Sequence, residues 1–260
     1  MNRLVVLADP PRQGLVLEGI ASNTPLSDRE AADLYGATLR DAARTGATSG
    51  ADLLVNYRPD DLLPEKYRTG ESAETQVRNA VEEALAPLAD DPHAGDARYE
   101  VQVGSTYDAR VGNVVTHLLT QEDADSVAVF APTAPLVGRS VVDGAGMKLR
   151  RSEVVFGPAE GGRPYYAGFT EPIDFEAAHT PPALETLTDR ATDAGLAVDI
   201  LDVVPTVETP TGLAATVSVI RARIAADKPV PEHTAEFVVE HGLRVREEDG
   251  QPVVVKDGHR

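Results

Sequence analysis

The stretch Gly157-Pro158-Ala159-Glu160-Gly161-Gly162-Arg163-Pro164 sets one carboxylate and one guanidinium among glycines. Glycine lets backbone approach a ligand closely. Glu160 therefore reads as a catalytic base or a surrogate metal ligand, and Gly161, Gly162 and Arg163 as further loop contacts. A second group is Gln102-Val103-Gly104, with Arg110 eight residues after the glutamine. Gln102 and Arg110 either bind a nucleotide, or Arg110 pairs with Asp108 or another nearby carboxylate. Arg12, before Gly14 in Asp9-Pro10-Pro11-Arg12-Gln13-Gly14, is a phosphate partner or a solvated charge with many carboxylates to pair with. Thr133 in Ala131-Pro132-Thr133-Ala134-Pro135 either donates to a phosphate or stabilises a turn.

Several chemistries are closed off. With no cysteine there is no disulfide, thiolate metal site or cysteine nucleophile. The six histidines show no ligand spacing and read as surface residues, so no metal site is assigned. Gly144-Ala145-Gly146 lacks the third glycine and preceding strand of a dinucleotide fingerprint. There is no Walker loop and no serine nucleophile elbow.

The elements that must position these residues follow from hydrophobic pattern. Leu4–Ala8, Asp52–Tyr57, Tyr99–Val103, Ser126–Phe130, Glu153–Gly157, Tyr165–Phe169 and Val198–Leu201 read as strands, most of them apolar throughout. Ser27-x-x-Glu30 is a capping box opening a helix that Gly46 closes. Further helices are expected over 74–88, from Val111 through Leu118, from Leu184 toward Gly195, and after Thr209-Pro210, where threonine caps and proline takes the first helical position. A helix around Thr234–Glu240 and a hairpin turning at Asp249-Gly250 follow. Apolar strands alternating with helices imply a mostly parallel sheet covered on both faces, a three-layer α/β/α sandwich. Ligands then bind in loops leaving the C-terminal strand ends.

Charge narrows the partners. The 260 residues carry 42 acidic and 24 basic side chains, a net −18, and only four of the bases are lysine. The carboxylates are spread along the chain, which suits solubility in concentrated salt, a halophilic setting. Clustered lysine and arginine are lacking, so nucleic acid is not an expected partner. No apolar stretch is long enough to span a bilayer or to form a signal peptide's hydrophobic region, and the cytoplasm is the expected compartment. A homo-oligomer stays open.

The ordered set of loops, from Leu4 to about Arg223, resembles the glycosyltransferase-A-like proteins of domain-of-unknown-function family 2064. The resemblance implies a nucleotide-diphospho-sugar transferase-like domain over 1–227, with 228–260 a short helix-hairpin appendix packed on it. It implies a basic first loop gripping phosphates, of which Arg12 and Gly14 remain, and nucleotide contacts from Gln102, Gly104, Arg110 and Thr133. It also implies an aspartate after the fourth strand that holds a divalent metal, within a Ser-Asp-Cys-Pro type motif, where this chain has Ala131-Pro132-Thr133-Ala134-Pro135 and no carboxylate. In the Gly-Pro-x-x-Asp-Gly-Gly-Tyr loop Glu160 sits beside the missing aspartate, and in Thr206-Val207-Glu208-Thr209-Pro210 one acid is lost and one is glutamate.

Two readings follow. One is a glycosyltransferase-like or nucleotidyltransferase-like protein acting on a nucleotide or nucleotide sugar, with Mg or Mn if active. The other is a catalytically degenerate nucleotide binder or scaffold of the same fold that meets a protein partner.

Overall fold

Strand β1 (Asn2–Ala8) is the axis of the molecule, which is seen in a computed structural model describing residues 2–257. It pairs in parallel with β2 (Asp52–Tyr57) on one side and β4 (Ser126–Phe130) on the other; β2 in turn pairs with β3 (Arg98–Val101). Beyond β4 lie β6 (Pro164–Phe169), β5 (Val154–Pro158) and β7 (Val198–Ile200), giving the order β3-β2-β1-β4-β6-β5-β7. Only β6 runs antiparallel. The reason lies in the short Ala159–Arg163 connection, which can join antiparallel strands but is too short for a parallel crossover.

Pleating divides the core. Leu4, Val6 and Ala8 face α2 (Asp28–Thr48), α3 (Ala73–Leu85) and α5 (Arg139–Lys148). Val5 and Leu7 face α4 (Tyr107–Thr120) and α6 (Ala183–Asp193). These are the expected three layers. A third cluster joins the short α1 (Glu18–Asn23) to α7 (Pro210–Ala225), α8 (Glu232–Glu240) and the hairpin β8 (Leu243–Glu248)–β9 (Gln251–Lys256). Asp41 on α2 ties that layer down: its carboxylate accepts from the backbone N–H groups of His233 and Thr234 and from the Thr234 hydroxyl.

The capping box at Ser27 is formed, and Thr209 caps α7 with Pro210 at its start. Gly46 does not end its helix. It lies inside α2, where a Cβ would come within 2.7 Å of Leu53, so the glycine serves helix-to-strand contact. Gly144 and Gly146 belong to α5, which had no cap to announce it.

Candidate functional site

The C-terminal ends of β1, β2, β4 and β5 converge on one cleft, and Asp9 is the first side chain beyond β1. Its backbone N–H donates to the Tyr35 hydroxyl at 2.9 Å, and its carboxylate lies 3.5 Å from Arg58 Nη1. Burial raises the Asp9 pKa, against the pull of Arg58 and Arg110. Arg58, just after β2, is fixed by donating Nε and Nη2 to the Leu62 carbonyl at 3.2 and 2.8 Å.

Arg110 is the unusual member. It is 8% exposed, yet its guanidinium makes no hydrogen bond or ion pair among the described residues, and its Nε is buried without a partner. Asp108, its expected partner, is taken by His179. Burial lowers the Arg110 pKa and Arg58 lowers it further, while Asp9 opposes. Its one side-chain contact of note is the Tyr107 ring, 5.8 Å away. The Tyr107 phenol is pushed up to about 12, by desolvation first and then by Glu208. A positive charge has been left with open donors in a confined place.

On the opposite side, the glycine-rich turn carries Arg163 to Glu208, Nη1 to Oε2 at 3.3 Å. Gly161 and Gly162 both adopt φ near +75°, which side chains resist, so the turn needs this pair. Glu208 Oε1 accepts the Thr133 hydroxyl at 2.9 Å, and Thr133's carbonyl accepts the Val207 N–H at 2.9 Å. Thr133 thus locks the start of α7 to β4 and spends its hydroxyl on Glu208. Glu160 turns its Oε2 away from solvent: it is buried without a partner, 2.8 Å from where a Cβ on Gly212 would stand. Its carboxylate lies at the first turn of α7, where the helix dipole favours negative charge.

The other expected contacts have structural duties. Arg12 is no solvated charge. It is buried, with Nε on Gln76 (2.8 Å), Nη1 on Asp60 and the Tyr67 carbonyl (2.7 Å each) and Nη2 on the Glu71 carbonyl (2.8 Å). Four of its five N–H donors are thereby spent within the protein. Gly14 gives its carbonyl to the Tyr67 hydroxyl. Gln102 bridges the strand ends, donating to the carbonyls of Asn56 (2.7 Å) and Ala8 (3.3 Å). Gly104, at φ +131°, lets the chain pass Ala109 at the start of α4. Of the expected nucleotide residues, then, Arg110 reaches the cleft open-handed.

The segment Ala131-Pro132-Thr133-Ala134-Pro135 after β4 offers no carboxylate, and Asp9 and Glu208 each face a guanidinium. No group of three or more histidine, aspartate or glutamate side chains among the described residues is placed to hold an ion.

Four residues of the site carried no motif. Arg58 and Tyr107 lie in ordinary loop and helix-start sequence. Asp108 and His179 are 71 positions apart and meet only in the fold: Nδ1 lies 2.7 Å from Asp108 Oδ1, and the His179 N–H donates to the same oxygen at 2.8 Å. His179 is thereby a largely buried residue, not a surface one.

No protein-family model matches the chain, and no curated protein matches it. Among solved structures, a protein described as a nucleotide-diphospho-sugar transferase from Desulfovibrio desulfuricans superposes with a TM-score of 0.68 at 18% identity, covering 92% of this chain and 94% of its own. A cytidylyltransferase from Leptospira borgpetersenii covers 92% of this chain and 94% of its own at TM-score 0.49 and 12% identity. The first likeness shows the fold: a mostly parallel α/β/α sandwich of the nucleotide-diphospho-sugar transferase, glycosyltransferase-A type. Among the described residues no helix is long and apolar enough to cross a membrane.

Proposed function

We propose that the protein is a transferase, moving a group from a nucleotide-diphosphate-activated donor to an acceptor hydroxyl. Arg110, flanked by Arg58 and Arg163, receives the donor's phosphates. The observation that carries this is Arg110, 8% exposed, with its Nε unpartnered and no hydrogen bond from its guanidinium among the described residues. Holding a charged donor away from water without a partner carries a desolvation cost, and a phosphate that accepts its free N–H groups relieves it. Arginine suits the task because its planar fork matches phosphate oxygens. The three guanidinium groups also supply positive charge where a leaving diphosphate develops negative charge, a stabilisation a metal provides elsewhere.

The shared fold and the ordered likeness of the loops to family 2064 support the reading. Within it, Thr133 and Glu208 position Arg163, Gln102 and Gly104 shape the floor, and Arg12 and Gly14 stiffen the first loop. Glu160 holds the glycine-rich turn against α7.

The test is thermal unfolding in molar KCl, which suits so acidic a chain, against nucleoside di- and triphosphates and nucleotide sugars, each with and without Mn²⁺. A ligand at a hundred times its Kd stabilises the folded state by about 2.7 kcal/mol. One nucleotide class should raise Tm without needing the metal. A flat panel with folded protein refutes the assignment.

A further inference from the structure

His179 is held as a base is held. Asp108 Oδ1 takes its Nδ1 at 2.7 Å and its backbone N–H at 2.8 Å, which fixes both ring and segment. The Tyr107 ring meets the imidazole edge-on at 4.9 Å, and Phe175 stacks on it at 6.5 Å between centroids. With Nδ1 carrying the proton toward Asp108, Nε2 presents its lone pair, and no described residue donates to it. Tyr107 is the link to the cleft: the Arg110 guanidinium lies over the same ring at 5.8 Å, and the phenol feels the charges of Glu208, Arg163 and Asp9. The pair therefore stands beside the guanidinium cluster, outside every motif used above.

We propose that His179, positioned by Asp108, is the proton acceptor for the acceptor hydroxyl in the transfer. This rests on the transferase reading above. The acceptor oxygen forms its bond to the donor's electrophilic centre, and the bond to the phosphate leaving group breaks with its electron pair on the phosphate oxygen. The hydroxyl proton passes to Nε2. The charged groups facing the ring are Asp108 on α4, which favours its protonation, and Arg163 on the glycine-rich turn, which opposes it; burial, the largest influence, acts with Arg163 and lowers the imidazole pKa below its ordinary value, favouring the neutral ring. A neutral, oriented histidine is in the state a general base requires.

The experiment compares wild type, His179→Asn and Asp108→Asn. Asparagine retains a donor for Asp108 but has nothing in place of Nε2. The probe is the nucleotide sugar giving the largest thermal shift, with glycerol as acceptor. Released nucleoside diphosphate reports glycosyl transfer, and released sugar phosphate reports nucleotidyl transfer. His179→Asn should bind the nucleotide sugar with unchanged affinity while turnover falls about 10²- to 10⁴-fold. The acidic limb of the kcat/KM profile should vanish, and added imidazole should restore part of the rate in His179→Gly. In Asp108→Asn that limb should move. Unchanged turnover in His179→Asn overturns the proposal, as does a wild type that binds nucleotide sugar but transfers to no hydroxyl. Loss of binding in His179→Asn overturns it too, by making the residue a donor contact. Absence of nucleotide binding in the wild type instead removes the transferase reading, and the proposal with it.

Discussion

Replacing Arg110 by methionine should separate binding from stability. Among the described residues the guanidinium makes no hydrogen bond, and its Nε is buried without a partner, so its removal breaks none there. What is lost is the contact over Tyr107, worth about 0.5–1 kcal/mol. What is gained is relief from burying a charge that the surroundings already penalise. Methionine fills similar volume with an adaptable chain. The two effects offset, and urea unfolding should place the variant within about 1 kcal/mol of wild type, on either side. Binding should respond differently. Charge-assisted hydrogen bonds contribute about 1.5–3 kcal/mol each, so nucleotide affinity should fall roughly 10- to 150-fold even if one such bond is removed. The assay is calorimetric titration with the nucleotide that gives the largest thermal shift, beside urea unfolding of the same preparation. A variant destabilised by more than about 3 kcal/mol, with affinity unchanged in the folded fraction, refutes the reasoning: Arg110 would then be a structural cation.

Arg12 should behave in the opposite way. Arg12→Ala leaves Asp60 and two loop carbonyls without their donor and should cost about 3–5 kcal/mol of stability, measured by urea unfolding, with nucleotide affinity per folded molecule retained. At the start of α2, the Lys256 ammonium on Glu30, with help from Ser27, lowers the Glu30 carboxyl to about 2. Because the folded value lies below the unfolded one, this stabilisation is present above pH 4.5 and is lost as pH falls toward 2. Glu30→Gln should lower stability at pH 7 in low salt by roughly 1–2 kcal/mol, after allowing for screening, and the gap to wild type should narrow across that window.

The fold was legible because its signals are local. Six of the seven sheet strands are short apolar or β-branched runs bounded by turn residues, and Asp52–Tyr57 and Ser126–Phe130 match the expected spans to the residue. The capping box at Ser27 and the threonine–proline start at Thr209 carry their own chemistry in neighbouring positions. Elements without such marks escaped: α1 is six residues long, and α5 begins at Gly138 with no capping side chain.

The site was legible only in part, for a physical reason. Sequence places Arg110 and the glycine-rich turn, but whether a cation is free or spent depends on partners far along the chain. Arg12 is spent on Asp60, Tyr67, Glu71 and Gln76, all about 50 or more positions away. Arg110 is free because Asp108, its neighbour in sequence, belongs to His179. Neither fact follows from spacing. Glu160 stands on the glycine-rich turn, but its carboxylate turns toward α7, beside Gly212, which no spacing in the sequence announces.

The most direct test of the cleft as a donor site is a crystal structure with the nucleotide diphosphate or nucleotide sugar that most raises Tm. The account predicts phosphate oxygens within about 3 Å of the Arg110 guanidinium nitrogens, with Arg58 and Arg163 flanking them and Arg12 still bound to Asp60. A nucleotide seated elsewhere, or one whose phosphates leave Arg110 unpaired, would contradict it.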